Sequence, residues 1–284
     1  MSLRDLIVVL DDSPRNAAQL DFAAGLARQH DAHLTGLCLL ELLVPALPGY
    51  ALGSYPDVFA VQPSLDLSAR AYEKAGAIET AFRDVLRRDG LKGDWVLGKG
   101  LAAEAAVRRA HSTDLLVVGQ YNAEAKSNPS MGDLIGDLLM DSGRPLLILP
   151  YAGKFEAVGK NVLVAWNDSA QSTRAVHDAL PLIAPDAKVT VLSVQRPRRA
   201  EDEALPGAEI AEHLARHGFA VSAARTVSDG SLSDADALLG YASDNGADLL
   251  VMGGYGHSRR REIVFGGVTR SLLDHMTLPV LMSH

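Results

Sequence analysis

The sequence has a single cysteine, Cys38, among 284 residues. One thiol inside an apolar run leaves no disulfide framework and points to a reducing compartment, the cytoplasm. Its simplest reading is a packed strand residue. Aromatics are sparse, at 5%. Basic residues are also short: 27 Lys and Arg against 35 Asp and Glu leave a net charge of −8. Duplex nucleic acid is therefore not the expected partner, because phosphate binding needs a basic face. No apolar run approaches about 18 residues, so no membrane span is expected. The opening MSLRDLIVVLDD carries acids where a secretory signal needs a basic and then a long apolar stretch. Three catalytic signatures are missing as well. They are the phosphate-loop pattern Gly-x4-Gly-Lys-(Ser/Thr), the hydrolase elbow Gly-x-Ser-x-Gly and the zinc pattern His-Glu-x-x-His.

What is present is a repeat. LIVVLDDSPRNA (6–17) resembles VLVAWNDSAQST (162–173), DLLVVGQ (114–120) resembles DLLVMGG (248–254), and RPLLILP (144–150) resembles LPVLMSH (278–284). Two units follow, 1–150 and 151–284, joined near the short polar segment 151–160. The first carries about 22 extra residues, assigned to the Pro-rich stretch 45–64, which reads as a loop insertion. In the second unit, apolar runs predict strands at 161–166, 188–194, 220–226, 249–252 and 279–282. Helical periodicity covers 169–183, 207–217, 234–245 and 267–275. Continuous apolar strands alternating with helices mean parallel sheets covered on both faces. The expected fold is α/β: two tandem Rossmann-like doubly wound domains, each with a five-stranded parallel sheet, packed as a pseudo-twofold pair. Ligands in such sheets bind beyond the carboxyl ends of the strands.

The glycines of DLLVMGGYGHSRRREIVFGGVTRSLL (248–273) fall at that end. Gly253, Gly254 and Gly256 follow a strand, and Gly266 and Gly267 precede a helix. They can serve turns alone. Their place also suits a phosphate cradle, with free N–H groups at a helix N-terminus and a hydroxyl from Thr269. Arg259, Arg260 and Arg261 can reach phosphates or form a solvated turn; His257 reads as a surface residue. His213 and His217 stand i, i+4 on a helix and can share a metal. The sequence shows no third ligand, so an exposed helix face is the simpler reading.

Gly253-x2-Gly256-x9-Gly266, followed by Gly267, Val268 and Thr269, resembles the nucleotide loop of the universal stress protein family. VLVAWNDS resembles that family's first strand, with Asn167 where an Asp is usual; the first unit has Asp11 there. The resemblance covers nearly the whole chain as a tandem member. It implies a stress-response protein that binds ATP or another adenine nucleotide, with or without Mg2+. The positions carried over are Ala165, Trp166, Asn167, Val194, Met252, Gly253, Gly256, Gly266, Gly267, Val268 and Thr269. In the first unit Asn122 replaces one loop glycine, and Asp133 stands at the helix N-terminus. A carboxylate there caps the helix and repels a phosphate, by roughly 4 kcal/mol at an effective dielectric near 20. The nucleotide is therefore expected in the second unit only.

Three functional readings stay open at this point. The first is a nucleotide-responsive regulatory or protective protein, with a protein partner and homodimerisation left open. The second is a slow ATP hydrolase, although no motif places a general base and Asn167 cannot act as one. The third is a ligand-free interaction or lipophilic-ligand module using the 45–64 segment, with Tyr50, Tyr55 and Phe59. No catalytic residue and no resident metal are expected.

Overall fold

The computed structural model describes residues 2–43, 61–99, 102–121, 130–195, 205–227, 233–254 and 267–284. The first half contributes β1 (Asp5–Leu10), α1 (Asn16–His30), β2 (His33–Leu39), α2 (Leu40–Leu43) and α3 (Val61–Asp89). It continues with β3 (Gly93–Gly98), α4 (Ala102–Ala110), β4 (Leu115–Gly119), α5 (Ser130–Asp141) and β5 (Leu146–Leu149). The second half contributes β6 (Asn161–Ala165), α6 (Ala170–Ala179), β7 (Lys188–Gln195), α7 (Ala208–Arg216) and β8 (Ala220–Val227). It closes with α8 (Asp234–Asp244), β9 (Leu249–Gly253), α9 (Gly267–His275) and β10 (Val280–Ser283).

The ten strands form one sheet in the order β3-β2-β1-β4-β5-β10-β9-β6-β7-β8. Each half has the doubly wound order 3-2-1-4-5 with parallel neighbours, and the one antiparallel junction is β5 with β10. The pseudo-twofold pair is thus a single continuous sheet. Its strands are apolar on both sides because both are covered. One core holds α1, α3, α6 and α7 against residues such as Leu6, Leu147, Val164 and Leu281. The other holds α4, α5, α8 and α9 against Ile7, Ile148, Leu163 and Met252. Alternation along each strand sends neighbouring side chains to opposite cores.

The repeat extends to polar anchors. Asp114 accepts the backbone N–H groups of Arg4 and Asp5 at 2.7 and 3.0 Å. Asp248, its counterpart, accepts those of Gly159, Lys160 and Asn161 at 2.7 to 3.1 Å. Each carboxylate ties the fourth strand of its half to the start of the first. Gly159 itself adopts a φ of 96°, and a Cβ there would fall 1.9 Å from the Leu182 carbonyl oxygen. Only glycine fits that backbone.

Two expectations are corrected. The insertion does not run to residue 64 as loop, because α3 begins at Val61. Pro63 sits in its first turn, where an N–H has no helical partner and proline is tolerated. Residues 45–60, including Tyr50, Tyr55 and Phe59, lie outside the described residues. Asp133 does not cap α5 from outside: the helix starts at Ser130, placing Asp133 fourth within it.

Candidate functional site

The carboxyl ends of β6, β7 and β9 lie side by side. Ala165, the last residue of β6, pairs with Met252 on one side and Leu192 on the other. The N–H of Trp166 continues the ladder to the Leu192 carbonyl at 2.8 Å. Val194 is two residues further along β7, and Gly253 ends β9. The sheet therefore brings Ala165, Trp166, Val194, Met252 and Gly253 to one end, at the point where the strand order reverses. Met252 is buried, Ala165, Trp166 and Val194 are half-buried, and Asn167 is exposed. Gly256 and Gly266 lie outside the described residues, as do Asn122, His257, Arg259, Arg260 and Arg261.

The described glycines divide into two kinds. A Cβ on Gly253 would sit 2.5 Å from the Ser172 backbone nitrogen and 2.6 Å from the Gln171 carbonyl carbon. A side chain is excluded there because the N-terminus of α6 packs onto the strand end. A Cβ on Gly254 would meet Leu139 Cδ2 at 2.5 Å, and the Gly254 N–H is bonded to the Ser283 carbonyl. Gly253 and Gly254 are thus explained by packing, and their bareness is not by itself a sign of ligand. At Gly267, the first described residue of α9, a Cβ would meet nothing within 4 Å among the described residues. Val268 beside it is exposed and Thr269 is buried.

Helix α6 carries its own cap at its N-terminus. Ser169 accepts the Ser172 N–H and Ser172 Oγ accepts the Ser169 N–H, a complete reciprocal cap. Asn167 supports this cap, its Oδ1 accepting from Ser169 Oγ at 2.7 Å. In the first half Asp11 instead accepts the Ser13 N–H at 3.0 Å, and α1 has no side-chain cap. Asp168, absent from the sequence-derived set, has a φ of 57°. Asp and Asn tolerate this left-handed backbone better than most residues, so the NDS triplet was a readable signal. Ser193 Oγ and Gln195 Oε1 were also missed. They are buried with no partner among the described residues and flank Val194 on the opposite face of β7.

A pocket of about 190 Å³ lies in the first half, between α1 and the ends of β4 and β5. Asp11, Arg15, Gln19, Gln120 and Tyr151 are among its walls. Arg15 Nη2 donates to the Pro150 carbonyl at 3.2 Å. Gln120 links the halves: its Nε2 donates to the Leu273 carbonyl at 2.6 Å and its Oε1 accepts the Tyr151 N–H. Cys38 is buried in β2, as expected. Burial, with Asp11 and Asp12 nearby, pushes its thiol up to about 12. The pair His213 and His217 gains a neighbour that the sequence did not reveal, His177 on α6.

No described helix is long and apolar enough to cross a membrane. Residues 159–284 match the model of the universal stress protein family. The chain is 25% identical over 214 residues to universal stress protein Slr1230 of Synechocystis sp., covering 74% of this chain and 72% of that one. A universal stress protein from Archaeoglobus fulgidus superposes on 98% of this chain and 96% of its own, with a TM-score of 0.71 at 15% identity. A functionally unknown protein from Pseudomonas aeruginosa PAO1 does so over 99% and 92%, with a TM-score of 0.59 at 16% identity. At these identities the structural likeness is one of fold, and it spans both halves. Residues 159–284 therefore match the universal stress protein family's own model, and the chain as a whole resembles a universal stress protein in sequence and universal stress proteins in fold.

Proposed function

We propose that the second half binds one adenine nucleotide at the carboxyl ends of β6, β7 and β9, and that the protein acts as a nucleotide-responsive regulator. The observation that carries this reading is the register Met252–Ala165–Leu192. It brings Ala165, Trp166, Val194, Met252 and Gly253 together at the switch point of the sheet, where ligands of such folds bind, and this supports the reading. The first described turn of α9, where a Cβ on Gly267 would meet no described atom within 4 Å, is where backbone N–H groups would meet a phosphate. That of α6 already carries a cap from Ser169 and Ser172.

Binding without efficient turnover is the expected behaviour. Backbone donors and a helix dipole hold phosphates in the ground state; rate needs groups that act more strongly in the transition state. Asn167 carries no charge to hold a nucleotide-bound Mg2+ and is engaged with Ser169. ATP hydrolysis should therefore fall well below the median enzyme rate of about 10 s⁻¹. The test is calorimetry of ATP binding to the intact chain and to Gly256→Asp, with phosphate release followed at saturating ATP and Mg2+. Loss of binding in the variant is expected. Wild-type affinity in Gly256→Asp would remove the site assignment, and release at several per second would replace the regulator with an enzyme.

A further inference from the structure

The two halves differ in how the first helix meets the sheet. Gly119 and Gly253 hold the same place in the repeat, at the ends of β4 and β9. At Gly253 the backbone of α6 lies 2.5 Å from where a Cβ would be. At Gly119 that point meets only the Gln19 side chain, with Oε1 at 2.7 Å and no described backbone of α1 within 4 Å. Gln19 is buried, its Nε2 donates to the Val9 carbonyl at 2.5 Å, and it stands where α6 has Ala175. The longer side chain holds α1 off the strand ends, and the cavity of about 190 Å³ opens beneath its first turns.

The walls of this cavity combine an apolar body with two opposite charges. Phe22, Leu149 and Phe155 supply the apolar part, Arg15 and Asp11 the charged part. Arg15 is half-buried. Its Nη2 donates to the Pro150 carbonyl at 3.2 Å, its Nε is buried without a partner, and no carboxylate among the described residues pairs with the guanidinium. Asp11 is half-buried as well. Its Oδ1 accepts the Ser13 N–H at 3.0 Å, and no cation among the described residues pairs with it; Lys74 pairs with Asp12 instead. Half-buried charges without counter-ions are costly. Two such charges of opposite sign on one cavity are satisfied together by a ligand that carries both signs. A simple carboxylate would suit Arg15 and be repelled by Asp11, and a simple amine the reverse. An apolar cavity of roughly 150 Å³ takes a benzene ring, so an apolar side chain of that size has room here.

We propose that this cavity binds a free amino acid with an apolar side chain. Its carboxylate lies on Arg15, its ammonium on Asp11, and its side chain against Phe22, Leu149 and Phe155. The site is independent of the nucleotide reading. It shares no residue with the set at the ends of β6, β7 and β9, and in the second half α6 fills the corresponding space at Gly253. Its walls come from α1, the ends of β1, β4 and β5 and the segment that follows β5, with none from β2.

The experiment is calorimetric titration of the full chain at neutral pH with L-phenylalanine and L-leucine. Two truncated probes run beside them: hydrocinnamate, which lacks the ammonium, and phenethylamine, which lacks the carboxylate. One amino acid per chain is expected. Each truncated probe should bind at least about tenfold more weakly than phenylalanine, the scale of a lost hydrogen bond to a charged group. Asp11→Asn, which keeps an acceptor for the Ser13 N–H, and Arg15→Gln should each weaken phenylalanine binding by a similar factor. Ala18, on α1, also lines the cavity. Ala18→Phe fills the space without altering either charge and should abolish binding, with thermal melts showing that each variant is folded. No saturable binding of either amino acid at millimolar concentration overturns the proposal. So does wild-type affinity in folded Arg15→Gln or Asp11→Asn, or hydrocinnamate bound as tightly as phenylalanine.

Discussion

Leu147 stands directly opposite Leu281 in the antiparallel pairing of β5 with β10. The two residues hold the same place in the repeat, so each half presents to the other the residue that it receives. Their neighbours obey the same rule. Leu146 faces Met282, and Ile148 faces Val280, so the pseudo-twofold axis passes through the Leu147–Leu281 pair. Both leucines are fully buried in the same core. Leu147→Ala and Leu281→Ala should each cost about 2–5 kcal/mol. Because they meet across one junction, the double variant should deviate from additivity by about 0.5 kcal/mol or more. Urea unfolding of the four proteins measures this. Strict additivity would mean that the two halves are stabilised independently of this pair.

The sequence disclosed the second half almost element by element, since continuous apolar runs between helical periods have one reading when both sheet faces are covered. It also offered a candidate site, because strand ends and glycine clusters are local features. What it could not disclose was long-range. RPLLILP and LPVLMSH read equally well as edge strands or as partners; only the structure shows that they pair with each other. His177 is invisible beside His213 in sequence because α6 and α7 are brought together by β7. Gly253 was read for its openness to ligand, whereas α6 fills the space. Pro63 was read as loop because proline counts do not distinguish a first helical turn from an insertion.

The two kinds of glycine at the site should respond oppositely to alanine. At Gly253 the added methyl meets backbone of α6, which cannot swing aside as a side chain could. Gly253→Ala should destabilise by about 1–3 kcal/mol, the usual cost of overpacking. At Gly267 nothing among the described residues lies within 4 Å, and alanine in a helix gains up to about 1 kcal/mol over glycine. Thermal melts of the two variants should therefore shift in opposite directions. A Gly253→Ala protein as stable as wild type would mean that α6 does not sit against the end of β9.

Cys38 should be inert in the folded chain. Its thiol is buried, and with its ionisation pushed up to about 12 almost no thiolate exists near neutrality. A disulfide reagent at pH 8 should label no thiol in native protein and one after denaturation. Rapid native labelling would show that β2 opens readily beneath α3.

The histidine cluster should make stability depend on pH below neutrality. The ordinary pKa of His213 is 6.5 and the folded value lies lower, through burial first and then the charges of His217, His177 and Arg216. Between those two values the unfolded chain binds a proton that the folded chain refuses. Stability then rises with pH across that window. The contribution is complete above 6.5 and is lost as pH falls through the folded value. His30 and His284 are shifted in the same direction, so the wild-type slope alone does not isolate His213. Comparison with His213→Asn does. Urea midpoints at pH 7.5 and pH 5.5 should fall further on acidification in the wild type than in the variant. An equal or larger fall in His213→Asn would mean that His213 accepts its proton as freely in the folded chain as in the unfolded one, and that the three rings do not constrain one another.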